Sequence, residues 1–237
     1  MNLKSVALVS LLAMAGAALT GGAYWALLNV PESNVLALAF SALLVVLIAV
    51  IAGYALSVAL SAASGSSIGQ AVQEGVRGVP GFLTGGIVFV VLWYLTTSID
   101  AQWTEHAGEI DALFLRYAGT AHTAWLHTTV GWVLWLIRWG VGAAVVAGAT
   151  TTSVTRGSIG RGLSLSVSPL PLGATLLALF VAYELWAFVY WRPKGLPADS
   201  AELAFVSAKL AVLAVVNAVL VAIVCHVFTR AAATARR

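Results

Sequence analysis

Charged side chains are scarce in this chain: Lys, Arg, Asp and Glu make up 9% of 237 residues, against 61% hydrophobic. A water-soluble fold of this length needs far more polar surface to cover itself, which excludes water as the main solvent. Cysteine is nearly absent, and the single Cys225 excludes an intrachain disulfide. It reads as a small packing residue. The apolar runs lack strand-like alternation, which argues against a β-barrel. Missing too are GxSxG, Walker A, Rossmann and kinase patterns, and every HxxxH, HExxH or CxxC spacing. The sequence makes no case for an enzyme or a cofactor. The net charge of +3 is dispersed and forms no basic stripe, so nucleic acid is not an expected partner.

What fills the chain instead is a series of long apolar runs rich in Ala, Val, Leu and Gly. Each is of the order of the ~20 residues that cross a bilayer as a helix. Six spans are expected, at 6–29, 35–62, 80–98, 126–150, 171–192 and 201–229, within a single membrane domain covering 1–237. The expected fold class is therefore all-α, a polytopic helical membrane protein. The start of the chain has features of a signal peptide. The apolar run continues through Tyr24, Trp25 and Leu28, however, which predicts a retained first helix. If the spans alternate, Lys4, Arg77, Arg156, Arg161, Arg230, Arg236 and Arg237 fall on one side and Arg116, Arg192 and Lys194 on the other. That bias predicts a bacterial-type inner membrane location with both termini cytoplasmic.

A repeat is written into the loops. Ser67-Ile68-Gly69 leads to Val76 and Pro80, and 91 residues later Ser158-Ile159-Gly160 leads to Val167 and Pro171. In the first copy Ile68, Val72, Val76 and Val79 share one helical face, with Gln70, Gln73, Glu74 and Arg77 opposite. Ile159, Leu163 and Val167 repeat the apolar face, while Leu165 stands where the first copy has Glu74. The pattern predicts two related helix-elbow-helix units, with interfacial helices at 67–79 and 158–168, each followed by a Pro-initiated span. This layout resembles bacterial membrane domains such as the membrane region attached to some glycerophosphodiester phosphodiesterases. The resemblance covers about half the chain and brings no catalytic motif. A third interfacial helix is expected at 103–117, where Trp103, Ala107, Ile110, Phe114 and Tyr117 share a face.

Three charges interrupt the spans: Arg138, Glu184 and Lys209. Ionisable groups at membrane depth need partners or water. Glu184 and Lys209 each lie roughly 12 Å from the outer end of their spans at 1.5 Å per residue, and Arg138 roughly 18 Å. An Arg138, Glu184 and Lys209 cluster is the expected site, either an ion pair locking spans four to six or an outward-facing polar pocket. Asn217, two turns below Lys209, would extend a path. His106, His122 and His127 lie near Glu105, Glu109 and Asp111, a weak candidate set for a metal. His127 and His226 fall at opposite ends of their spans, which argues against a bis-histidine haem. Val206-Ser207-Ala208-Lys209 resembles the retinal-lysine segment of microbial rhodopsins, but six spans and the lack of a carboxylate beside Trp125 depart from that pattern.

The functional expectation is a non-enzymatic subunit or accessory component of a larger membrane complex for transport or the envelope. Its partners would be the lipid bilayer and other membrane subunits or further copies of itself. Gly-rich and Ala-rich spans suit close helix packing. The alternative is a small transporter of an anion or a proton-coupled solute that uses the charged cluster.

Overall fold

The computed structural model describes residues 2–30, 34–119, 123–191 and 200–235, and every regular element among them is helical. The elements are α1 (Leu3–Leu28), α2 (Val35–Ala63), α3 (Ile68–Glu105), α4 (Ala107–Ala118), α5 (Ala124–Trp135), a π-helical turn (Leu136–Val141), α6 (Gly142–Val154), α7 (Ile159–Ser166), α8 (Pro169–Tyr190) and α9 (Ser200–Thr234). The segment from α5 through the π turn to α6 is continuous. With it, six helices are long and apolar enough to cross a membrane.

Local chemistry sets where these helices start. Asn34 accepts from the Ala37 N–H at 2.9 Å. Ser67 and Gln70 form a reciprocal capping box at the head of α3, and Ser158 caps α7 through the Arg161 N–H. Gly119 ends α4 in the left-handed conformation, with φ of 67°.

The turns that follow α2 and α6 have matching hydrogen bonds. After α2, the Gly65 N–H donates to the Ala62 carbonyl at 3.1 Å and the Ser66 N–H to Ser61 at 3.2 Å. After α6, the Arg156 N–H donates to Ser153 at 3.2 Å and the Gly157 N–H to Thr152 at 2.7 Å. Both are Schellman closures, which satisfy the last carbonyls of a helix. Each donor and acceptor in the second set lies 91 residues after its counterpart in the first.

Beyond the turns the two paths diverge, and here one expectation is corrected. No separate helix covers 67–79: α3 runs unbroken for 38 residues with Pro80 inside it. A single proline deletes only one backbone donor, and the long helix absorbs that loss. The second path does break, because Pro169 and Pro171 remove two N–H groups in three residues. Pro169 also pushes Ser168 to an extended conformation, with ψ of 138°. The helix expected at 103–117 also shifts. Trp103 belongs to the last turn of α3, since nothing between Ile99 and Glu105 breaks a helix, and α4 starts after His106.

Small residues let the helices approach. Gly75 and Gly78 face α2, and Gly78, Gly81 and Gly85 face α6. The core lies at the end of the bundle that holds residues near both chain ends, where Val9, Leu60, Ala71, Ala144, Cys225 and Phe228 pack with Ser57, Ser61 and Thr150 to Thr152. The opposite half is sparsely packed: between Val35 and Ala52 only Leu44 is buried, and in α8 only Pro171 and Thr175.

Candidate functional site

The three charges within the long apolar helices, Arg138, Glu184 and Lys209, share no partner. Arg138 sits in the π turn, where the wider coil rotates the helix from one neighbour to another. Before the turn, Trp132 and Trp135 lie edge-on to Tyr183 of α8; after it, a side chain at Gly142 would meet Phe89 of α3. Arg138 Nε donates to Thr96 Oγ1 at 3.1 Å, and an Nη reaches Asp100 Oδ2 at 3.5 Å. Thr96 and Asp100 are one turn apart on α3, so one helical face supplies both acceptors.

Lys209 is buried, and its Nζ donates to the carbonyls of Val189 and Trp191, both at 2.6 Å. It also lies over the rings of Phe188 and Phe205 at 5.4 Å and 5.3 Å. The last carbonyls of a helix have no intrahelical donor and carry partial negative charge, so they hold an ammonium group without a carboxylate.

Glu184 is exposed and makes no hydrogen bond or ion pair among the described residues. It lies five and seven residues before Val189 and Trp191, roughly 7 and 10 Å back along α8 at 1.5 Å per residue, away from the ammonium that α8's end has taken. The expected Arg138, Glu184 and Lys209 cluster therefore does not form: no ion pair joins any two of them. Spacing put Glu184 and Lys209 level and Arg138 deeper, but the free carbonyls at the end of α8 and the acceptors on α3 decided the partners of the two cations.

Glu184 belongs instead to a stripe. Gly173, Leu177, Phe180, Glu184, Ala187 and Trp191 are all exposed and follow one another at spacings of four and three residues. That is the periodicity by which one helix presents a seam to another.

Asn217 donates to the Leu213 carbonyl at 2.9 Å and lines a lateral cavity of about 510 Å³ between α2, α3, α6, α8 and α9. Leu60, Phe82, Phe89, Trp139 and Val224 dominate its walls, which carry no charged group. The cavity continues from Asn217 along apolar walls, and Lys209 points away to the end of α8. The two do not form a polar path.

The histidines resolve differently. His122 lies outside the described residues. His127 accepts from the Trp103 indole N–H at Nδ1, at 2.9 Å, and its Nε2 lies 2.8 Å from Asp111 Oδ1. An indole nitrogen only donates, so Nδ1 is the acceptor and Nε2 carries the proton toward Asp111. This chain of bonds ties α3, α4 and α5 together. Hydrogen bonds from Thr123 and His127 hold the Asp111 carboxyl below its usual range. His106 Nδ1 meets the Gln102 carbonyl at 2.9 Å. That carbonyl, and then Glu109, raise its pKa from the ordinary histidine value. No group of three metal-ligating side chains occurs among the described residues. Sequence spacing held no sign of the Trp103, His127 and Asp111 chain, because its members come from three helices.

Compared with known proteins, the chain matches no family model, and no curated protein or solved structure resembles it significantly.

Proposed function

We propose that the protein is a non-enzymatic, multi-pass component of an inner-membrane assembly, with both termini cytoplasmic, and that α8 is the helix that meets its partner. The observation that carries this reading is the exposed α8 stripe with Glu184 at its centre. A seam of small and aromatic residues suits helix packing, which in lipid is driven by close contact and by polar groups. An isolated charge at helix-centre depth costs roughly 2.5–3.5 kcal/mol on insertion scales. A donor on a partner helix would offset that cost. The sparsely packed half of the bundle lies on the same side, leaving room for such a helix.

The matching turns after α2 and α6 further support a parallel duplication, in which the first unit became one long helix and the second broke at Pro169. In that reading the first copy is scaffold. Arg138 corresponds to Leu47 and Glu184 to Trp93, both apolar.

Photo-crosslinking from Leu177 and Phe180 in native membranes tests the proposal. The expected result is one protein adduct of fixed mass, weakened by Glu184→Gln. Lipid adducts alone, together with a single-chain mass in nanodiscs, would remove the reading. The rival transporter would be favoured by solute flux in liposomes that Glu184→Gln abolishes.

A further inference from the structure

The end of the bundle that holds both elbows also holds a cavity of about 720 Å³, opened to the outside and bordered by the turns after α2 and α6 and the last turns of α9. Three arginines, Arg77, Arg156 and Arg230, line it against one acidic residue, Glu74. Glu74 is already engaged, 3.7 Å from Arg77 and accepting from Ser66 Oγ at 3.2 Å. The guanidinium groups of Arg156 and Arg230 make no hydrogen bond or ion pair among the described residues. Nearby Arg161, outside the lining, donates to the Ala235 carbonyl. The cavity therefore keeps two uncompensated forks, each suited to bidentate contact with a phosphate.

The backbone adds an independent sign. Arg156 has φ of 56° and is the only non-glycine residue with positive φ among the described residues. The corresponding place in the first elbow is Gly65, with φ of 100°. The left-handed position that closes a helix favours glycine, because a Cβ there crowds the backbone. A strained residue persists where its surroundings or its function require it. Here the strained residue is an arginine that lines the basic cavity.

We infer that this cavity binds a phosphate-bearing anion through Arg156 and Arg230. The phosphate belongs either to the headgroup of an anionic phospholipid at the membrane surface or to a small soluble molecule; the recognition chemistry is the same. The site lies at the far end of the bundle from Glu184 and does not depend on the α8 stripe.

The full chain in nanodiscs of phosphatidylcholine distinguishes the sources. In one arm phosphatidylglycerol is added and its retention is read by native mass spectrometry; in the other, inorganic phosphate is titrated calorimetrically. Binding in the first arm alone assigns a lipid headgroup, and binding in the second assigns a free anion. In whichever arm binds, Arg156→Gly and Arg230→Gln are expected to weaken binding at least tenfold, and Arg161→Gln to leave it within twofold. Arg156→Gly installs the residue that the turn prefers, so its thermal midpoint should hold or rise, and lost binding cannot be ascribed to misfolding. No binding in either arm would overturn the inference. So would Arg156→Gly and Arg230→Gln variants that bind as tightly as the native chain.

Discussion

Gly85 and Gly86 are adjacent in α3, yet the packing predicts opposite effects for the same substitution. A Cβ at Gly85 would lie 2.8 Å from the Val146 Cα and 3.2 Å from the Val145 carbonyl oxygen, both backbone atoms of α6. A Cβ at Gly86 would have nothing within 4 Å and would project into the lateral cavity. Ordinary carbon contacts sit at about 3.5–4.0 Å, so Gly85→Ala forces α6 back by roughly 0.7–1.2 Å at this point. Backbone cannot swing aside as a long side chain would. A gap of that size forfeits about a quarter to a half of each neighbouring dispersion contact.

Both substitutions gain about 1 kcal/mol of helix propensity. At Gly85 an overpacking cost of roughly 1–3 kcal/mol opposes that gain, and the net loss should be about 0–2 kcal/mol, centred near 1. At Gly86 the gain stands, because the methyl meets nothing. Reversible unfolding in mixed micelles, by SDS titration or steric trapping, should separate the variants by about 2 kcal/mol. If both shifted stability in the same direction by similar amounts, the glycine-mediated contact between α3 and α6 would not be what holds these helices together.

Four further outcomes follow from the polar ties. Asp100→Leu leaves the largely buried Arg138 with Thr96 alone and should cost roughly 1–3 kcal/mol, more than Arg138→Met, which removes the charge that needs a partner; micellar unfolding compares the two. Lys209→Met should change global stability little, because lost carbonyl bonds of about 1.5–3 kcal/mol each are offset by release of a buried ammonium, while hydrogen exchange at the Trp191 N–H, which donates to Phe188, quickens. Asp111 titrates below its ordinary value in the fold, so its tie to His127 is in place above the unfolded carboxyl value and is lost as pH falls through the lowered one. Exchange protection in α4 should show that step, and Asp111→Asn should abolish it. His106 runs the other way: its raised value gives a contribution complete below the ordinary histidine pKa and lost as pH rises through the folded one. Exchange at the junction of α3 and α4 should quicken over that rise.

Much of the architecture was legible because lipid-length apolar runs demand helices, and each of the six expected spans coincides with a helix that is long and apolar enough, although 6–29 and 171–192 overrun the ends of theirs. Composition also marked the break before α8, where two prolines fall within three residues. Pro80 misled, since one proline does not stop a helix that is otherwise well packed on a glycine face. Asp100 was overlooked because it sits where hydropathy falls away at the end of the third span, and acids there look like loop residues. Its spacing of four from Thr96 was the available signal. The partners of Lys209 were invisible in principle: backbone carbonyls leave no trace in the choice of side chains. The Trp103, His127 and Asp111 chain needs three helices in place before its members meet.

The fates of the three charges within the apolar helices differ for a reason that lies in the backbone. A helix carbonyl has two lone pairs and its last four carbonyls lack an intrahelical donor, so a cation can be satisfied by main chain alone. Lys209 does this at the end of α8. A helix N–H has one proton, already given to the preceding turn everywhere except in the first turn. A carboxylate in mid-helix therefore depends on side chains. Asp100 has Arg138, and Glu184 has nothing in the described chain. Glu184 lies on an exposed seam of regular spacing rather than in a polar cavity, so the donor it lacks is best supplied by another helix. Replacing Glu184 with Gln keeps the size of the side chain and removes the need for that donor. The variant alone should be as stable as the native chain or more so, while its association through α8 weakens. A variant that lost stability as an isolated chain would place Glu184 among the fold's own ties and leave α8 without a reason to seek a partner.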